Sequence, residues 1–170
     1  MPGATTVGVV CADGVILASE KRVTYGNFVM SKGGKKVFKI TDQIGAAYAG
    51  LVGDMQILTR EVEAQANLFS MEVGRPISVR AASKLMANIL FNRRYAPLIT
   101  QTIVGGLDDE GPSLYVLDVL GSLIPDKYAA VGSREYDSTL TVLHAEKFDL
   151  PRYFSQAETD RLTKELDRAK

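Results

Sequence analysis

The sequence has one cysteine, one histidine and no tryptophan among its 170 residues. The lone Cys11 has no partner for an internal disulfide, which is typical of a reducing compartment. We expect Cys11 to be buried in an apolar strand and His144 to be exposed in a polar stretch, so a serine-histidine or cysteine-histidine catalytic pair is disfavoured. Too few histidines and cysteines are present for a typical zinc site, and Asp108-Asp109-Glu110 is interpreted as a turn rather than a cation site.

Net charge is also absent, because 20 basic and 20 acidic residues cancel. This balance argues against a nucleic-acid binder or a membrane-surface binder, and it removes one barrier to self-association. No apolar run reaches transmembrane length and no signal-peptide pattern opens the chain, so we expect a cytoplasmic protein. No Walker or dinucleotide glycine pattern occurs, and we expect no cofactor.

Apolar residues make up 46% of the chain, and its length fits a single domain over residues 1–170. Two β-branched runs, 7–11 and 15–18, flank Ala12-Asp13-Gly14, a pattern that predicts a β-hairpin. The chain would therefore begin in the core. Termini usually fray unless they are tied down, so this end is a candidate for a functional role.

The later segments alternate between strand and helix patterns. A second hairpin is predicted over 37–40 and 44–50, followed by one helix with Met55, Leu58 and Val62 on its apolar face and another that Ser78 caps. Strand patterns return at 100–107, 113–119, 122–124 and 128–132, and helices are predicted over 135–144 and 155–170. This order predicts an α+β layered domain.

Several short motifs lie along the first three quarters of the chain. They are Thr5-Thr6-Val7-Gly8, Asp13-Gly14-Val15-Ile16-Leu17-Ala18-Ser19-Glu20-Lys21-Arg22, Lys35-Lys36-Val37-Phe38, Ala49-Gly50-Leu51-Val52-Gly53-Asp54, Val104-Gly105-Gly106-Leu107-Asp108 and Ala129-Ala130-Val131-Gly132-Ser133. In order and spacing they resemble the β-type subunits of archaeal 20S proteasomes. The resemblance covers residues 4–133, and residues 134–170 diverge.

The resemblance implies an amino-terminal-nucleophile hydrolase fold, a four-layer αββα sandwich whose C-terminal part is here atypical or shortened. It implies a β-type subunit of the 20S core particle, placed with proteasome α-type subunits and sister β-type subunits in stacked seven-membered rings. Such particles degrade unfolded polypeptides in ATP-dependent intracellular proteolysis, by threonine-type hydrolysis of peptide bonds. The resemblance implies no nucleic-acid partner and no membrane partner. It also implies no metal and no cofactor.

Active members of this family cut a propeptide after a glycine and expose a threonine, whose hydroxyl attacks the peptide carbonyl. The freed α-amino group, with an ordinary pKa near ~8, takes the proton. Carried over by position, the resemblance implies that Lys36 is the catalytic lysine, Glu20 its acidic partner, Gly50 the oxyanion donor and Ser133 a supporting serine. It further implies an apolar substrate pocket lined by Val23, Tyr48 and Val52.

The nucleophile position is occupied by Ala4, which has no hydroxyl. Successive strand residues point to opposite faces, so Thr5 would point away from Lys36 and is a less favoured nucleophile. Thr6 shares the face of Ala4 but lies two residues deeper. We therefore predict that this chain is catalytically silent.

A second departure follows Ser133, where Arg134-Glu135 replace the family's Gly-Ser-Gly continuation. The Arg-Asp and Ser-Gly stretch that carries the remaining catalytic aspartate and serine has no counterpart here, and a sheet edge is at risk of exposure. Three other interpretations stay open: a purely structural ring subunit, a two-component bacterial-type proteasome-like peptidase, and an unrelated α+β binding domain. Peptide hydrolysis with and without partner subunits distinguishes an enzyme from a ring component.

Overall fold

The computed structural model of the chain describes residues 5–25, 28–132, 140–144 and 152–153. These ranges hold two helices and twelve strands, several of them short. In chain order they are β1 (Thr5–Val10), β2 (Val15–Glu20), β3 (Val23–Tyr25), β4 (Phe28–Ser31), β5 (Val37–Lys39), β6 (Ile44–Gly50), α1 (Val52–Val73), α2 (Val79–Asn92), β7 (Thr100–Asp108), β8 (Gly111–Leu117), β9 (Leu123–Asp126), β10 (Tyr128–Gly132), β11 (Leu140–His144) and β12 (Arg152–Tyr153).

The strands form two five-stranded antiparallel sheets and one separate hairpin. The first sheet has the order β10-β1-β2-β11-β12, the second has the order β5-β6-β7-β8-β9, and β3 pairs with β4. Both hairpins predicted from the sequence are present, with Thr6 opposite Ser19 in the first and Val37 opposite Ala47 in the second. The predicted strand at 128–132 is also confirmed, as the neighbour of β1.

The two sheets pack face to face over an apolar cluster made of Val15, Leu17, Val37, Ala47, Ile103 and Leu114. Gly8 of β1 allows the close approach. A Cβ atom at this position would lie 2.5 Å from Leu114 Cδ1 and 2.8 Å from Ile103 Cγ2, both far inside van der Waals contact. The even-numbered face of β1 is therefore the face that meets the second sheet.

Both helices cover the opposite face of the second sheet. The predicted apolar stripe of α1 is buried at Met55, Leu58, Val62 and Ala66, together with Ile44, Ala46 and Tyr48 of β6. Ser78 caps α2 as predicted, since its hydroxyl accepts the N–H of Ala81 at 3.2 Å. The α+β sandwich is thus confirmed as a helix layer on two packed sheets, and the predicted helix at 155–170 lies outside the described residues.

Two local predictions were wrong. Residues 140–144 form strand β11 instead of a helix, with Leu140 opposite Glu20 and His144 opposite Ile16. Pairing with β2 supplies backbone hydrogen bonds that outweigh the local helical pattern. It also continues the first sheet past β2, so that the edge of β2 is covered. Cys11 is half-buried and follows β1, because the hairpin turn begins there with its N–H donating to the Gly14 carbonyl at 2.7 Å.

Neither described helix combines the length and the apolar character needed to cross a bilayer.

Candidate active site

The two threonines at the start of β1 lie on opposite faces. Thr5 is exposed, whereas Thr6 is fully buried between the sheets. The Thr6 hydroxyl donates to the Tyr48 carbonyl at 2.8 Å and lies 2.8 Å from the Ser19 hydroxyl. Because a hydroxyl has one proton and Thr6 gives it to Tyr48, the proton between the two hydroxyls comes from Ser19. Thr6 is therefore committed to structure and is a poor nucleophile.

Lys36 lies immediately before β5, next to the same point of β6. Its carbonyl accepts the Tyr48 N–H at 2.9 Å, and its Nζ donates to the Arg22 carbonyl at 2.5 Å. Only 3% of Lys36 is exposed. The structure thus brings together Thr6, Tyr48 and Lys36, which the sequence separates by up to 42 residues.

Glu20 and Arg22 are the two charged residues that influence the Lys36 ammonium. Glu20 is the buried last residue of β2, and its carboxylate lies 3.3 Å from the Arg22 Nε. Burial lowers the pKa of Lys36 below its ordinary value of 10.5, the Glu20 carboxylate opposes this shift and the Arg22 guanidinium adds to it. The predicted pairing of Lys36 with an acidic partner is consistent with this arrangement, and Arg22 is a third charge to which the sequence reading assigned no role.

The lowered pKa of Lys36 predicts a pH dependence of stability. The folded chain binds this proton more weakly than the unfolded chain, so the contribution of Lys36 is fully present above pH 10.5 and is lost as pH falls through the lowered pKa. We expect the free energy of unfolding of the wild type to rise, relative to that of Lys36→Met, as pH increases towards 10.5 in denaturant titrations. Lys32→Met removes an exposed charge and is the control; equal slopes in all three proteins would contradict the prediction.

Gly50 ends β6, two residues after Tyr48. Strand N–H groups point alternately to the two sides, so the Gly50 N–H points to the same side as the Tyr48 N–H, which bonds Lys36. The pairing of β5 with β6 ends at Val37 and Ala47. The Gly34 N–H, which a longer ladder would direct at the Gly50 carbonyl, donates instead to the Lys21 carbonyl at 2.8 Å. A backbone donor at the end of a ladder can stabilise an oxyanion.

The backbone of Gly50 permits no other residue. Its φ of +146° lies in a region that side chains rarely adopt, and a Cβ atom would lie 2.1 Å from the Ile99 carbonyl oxygen. The crossing segment is fixed, since Leu51 N–H donates to that oxygen at 2.9 Å and Ile99 N–H donates to the Asp54 carboxylate at 2.7 Å. Close approach of two backbones therefore sets the position of Gly50.

The three predicted pocket residues lie on separate elements. Val23 is in β3 and Val52 opens α1, and both are half-buried. Tyr48 has no exposed surface, packs in the core under α1 and has its hydroxyl 2.9 Å from that of Thr59. Burial raises the pKa of Tyr48, so its hydroxyl stays protonated.

Two predicted site residues, Ala4 and Ser133, lie outside the described residues. The sequence reading missed the contributions of Ser19 and Arg22, and it noted Thr6 only for its position in the strand. The available signal for Ser19 was the hairpin register, which sets it opposite Thr6. Within the described ranges no group of three or more histidine, cysteine, aspartate or glutamate side chains could hold a metal ion.

An open cleft of about 850 Å³ lies away from these residues, between the turn that joins β5 to β6 and helix α1. Its lining mixes polar and apolar side chains and includes Lys35, Phe38, Ile40 and Arg60. Neither Lys36 nor Gly50 contributes to the cleft. The candidate active site lies instead at the end of β6.

Comparison with known proteins gives one consistent family. The model of the proteasome subunit family matches residues 1–152. The chain is 54% identical to proteasome subunit beta 1 of Cenarchaeum symbiosum over 133 residues, which is 78% of this chain and 68% of that protein. It is 46% identical over 153 residues to proteasome subunit beta 2 of Caldivirga maquilingensis (84% and 76%), and 40% identical over 173 residues to proteasome subunit beta 1 of Staphylothermus marinus (96% and 81%).

Proposed function

Because the chain belongs to the proteasome subunit family, we propose that it is a β-type ring subunit of the 20S core particle that does not itself hydrolyse peptides. Membership in the family associates the chain with core-particle proteolysis, a threonine-type peptidase activity at the level of the complex, and with assembly alongside α-type and β-type subunits. It excludes the interpretation as an unrelated α+β binding domain. In the proposal the particle is cytoplasmic and its substrates are unfolded polypeptides.

The observation that carries the proposal is the hydrogen-bond path from Thr6 through Tyr48 to Lys36. Along β1 the even-numbered residues Thr6 and Gly8 are buried against the second sheet, while Thr5 is exposed. We propose that this alternation continues by one step, so that position 4 belongs to the face of Thr6. An alanine at that position leaves the lysine and the oxyanion donor without a hydroxyl to activate.

In the proposed mechanism of an active sister subunit, these residues act on an amino-terminal threonine. A positive charge on Lys36 favours the deprotonated hydroxyl, and the Glu20 carboxylate favours the charged lysine. The Gly50 N–H donates a hydrogen bond to the carbonyl oxygen as negative charge develops there, an interaction worth about 3–4 kcal/mol for one donor in another protease. Since this chain keeps these groups and lacks the nucleophile, its proposed contribution is to the ring and to the walls of the chamber.

Thr5 is exposed and has a hydroxyl, so activity at Thr5 would contradict the proposal of catalytic silence. Particles assembled from this chain and archaeal α-type subunits should show stacked rings in electron microscopy and no hydrolysis of fluorogenic peptides above α-type rings alone. Mass spectrometry should find no cleavage at the bond before Thr5, and a threonine-directed inhibitor should not label it. Thr5 as the new amino terminus with inhibitor attached would refute silence, and a monomer under all conditions would refute ring membership.

A further inference from the structure

We propose that Thr6 is a positioning residue: its buried hydroxyl joins the first sheet to the second and fixes the register in which β1 reaches the candidate active site. Thr6 has this structural role in the chain as it is. The effect of Thr6 on catalysis rests on the proposed function, because the proposed nucleophile position lies two residues before it.

The contacts connect three strands and the residue that precedes β5. The Ser19 hydroxyl of β2 donates to Thr6 Oγ1 of β1, and Thr6 donates to the Tyr48 carbonyl of β6, each at 2.8 Å. The Tyr48 N–H then donates to the Lys36 carbonyl at 2.9 Å, just before β5. The two bonds that share the Thr6 hydroxyl polarise each other, and the backbone of Tyr48 connects its carbonyl to the N–H that bonds Lys36. One hydroxyl therefore sets the distance between the start of β1 and Lys36.

The start of β1 needs such a device because its sequence specifies register weakly. Residues 4–10 are all small or β-branched, and Thr5 and Thr6 are the same residue type on opposite faces. A slip by one residue would exchange the two faces and bring Thr5 to the buried side. Gly8 resists a slip by steric fit, since a Cβ atom there would collide with Leu114 and Ile103. Gly8 is further from the amino end, so Thr6 holds the part of the strand that would fray first.

Burial makes the contact selective for a hydroxyl. Thr6, Ser19 and Tyr48 are all at least 99% buried, so water has little access to a carbonyl or hydroxyl that loses its partner. In the observed register the Tyr48 carbonyl receives the Thr6 proton, whereas the Thr5 carbonyl lies 3.3 Å from the Ser19 hydroxyl, whose proton is directed to Thr6. An unpaired buried acceptor is costly, so registers without this contact are disfavoured.

The chain offers a matched set of substitutions. Thr6→Val removes the hydroxyl at nearly constant volume, and Thr6→Ser keeps the hydroxyl but removes the methyl group. Thr102→Val is the control, because Thr102 is an equally buried strand threonine whose hydroxyl has no hydrogen-bond partner among the described residues. These three variants separate loss of the contact from the general effect of a buried threonine-to-valine change.

The first measurement compares the variants in assembled particles that keep Ala4, so it does not depend on peptidase activity. Amide hydrogen exchange of the peptide that covers β1 should accelerate about tenfold in Thr6→Val, because one buried hydrogen bond opens the strand locally. Thr6→Ser and Thr102→Val should exchange like the wild type. Unchanged exchange in Thr6→Val, or equal acceleration in Thr102→Val, would overturn the proposal.

The second measurement adds the same changes to Ala4→Thr particles. Thr6→Val should lower kcat by about 10-fold to 100-fold with little change in KM, since misplacement of a nucleophile affects the chemical step. Thr6→Ser should restore kcat, and Thr102→Val should leave it unchanged. Equal kcat in Thr6→Val would overturn the positioning role. If Ala4→Thr particles are themselves inactive, the proposed cause of silence fails, and the exchange measurement still decides the role of Thr6.

Discussion

Replacing Ala4 with threonine should convert a silent particle into a peptidase. Particles assembled from Ala4→Thr and α-type subunits are expected to hydrolyse fluorogenic peptides at least about 10³-fold faster than wild-type particles, the scale on which loss of a nucleophile acts in other proteases. The subunit should also lose Met1 to Gly3, which mass spectrometry detects as a shortened chain. Cleavage after Gly3 frees the α-amino group that serves as the base.

The proposed reason for so large an effect is that the fold already holds Lys36, Glu20 and Gly50. Lys36 is buried beside Glu20 and Arg22, and Gly50 directs its N–H to the same edge of β6. Preorganised groups of this kind stabilise a transition state without the cost of rearrangement. On the proposed assignment, the nucleophile hydroxyl is therefore the group that must be added to Lys36, Glu20 and Gly50.

The matched control for this experiment is Ala4→Val, which adds a β-branched side chain of nearly the same size without a hydroxyl. It should neither cleave itself nor hydrolyse peptides. Ala4→Thr combined with Lys36→Met should be inactive as well, because the ammonium that favours the ionised hydroxyl is gone. If Ala4→Thr particles retained Met1 and matched Ala4→Val in peptide hydrolysis, the assignment of Ala4 to the nucleophile position would be wrong.

Gly50→Ala should produce the largest loss of stability among single-methyl additions considered for this chain. The new Cβ atom would lie 2.1 Å from the Ile99 carbonyl oxygen and 2.9 Å from Thr100 Cα, both backbone atoms that cannot rotate away. Overpacking costs about 1–3 kcal/mol and a disfavoured backbone region about 1–3 kcal/mol more. We expect a loss of about 3–5 kcal/mol in the free energy of unfolding, measured by denaturant titration.

Gly53→Ala is the control, three residues further along. Gly53 lies in the first turn of α1, and a Cβ atom there meets no heavy atom within 4 Å. Alanine should be neutral or stabilise the chain by up to about 1 kcal/mol, because it lowers the conformational entropy of the unfolded state. Equal stability of Gly50→Ala and Gly53→Ala would show that the backbone does not constrain residue 50 as the structure indicates.

The local fold was largely predictable from the sequence. Asp13-Gly14 between β-branched runs predicted the first hairpin, and the three- and four-residue spacing of Met55, Leu58 and Val62 predicted α1. The failures were at positions where long-range contacts decided. Residues 140–144 became a strand because β2 offered an edge to pair with, and no local pattern records that edge.

The candidate site was predicted through the family motifs, which named Glu20, Lys36 and Gly50 without showing how they meet. The structure adds Arg22 as a third charge and Ser19 as a hydrogen-bond partner of Thr6. Neither residue stands out by type or spacing in the sequence. Their roles depend on distances between strands that are far apart along the chain.

The sequence by itself determined the family, the hairpins, the two helices and the absence of a hydroxyl at residue 4, since each of these depends on residue type and local spacing. Only the tertiary structure decided that Thr6 is committed to Tyr48, that Lys36 is buried enough for its pKa to fall, and that Gly50 accepts no side chain. Those properties arise where two sheets and a crossing segment come within hydrogen-bond distance, because burial and close approach exist only once the chain has packed.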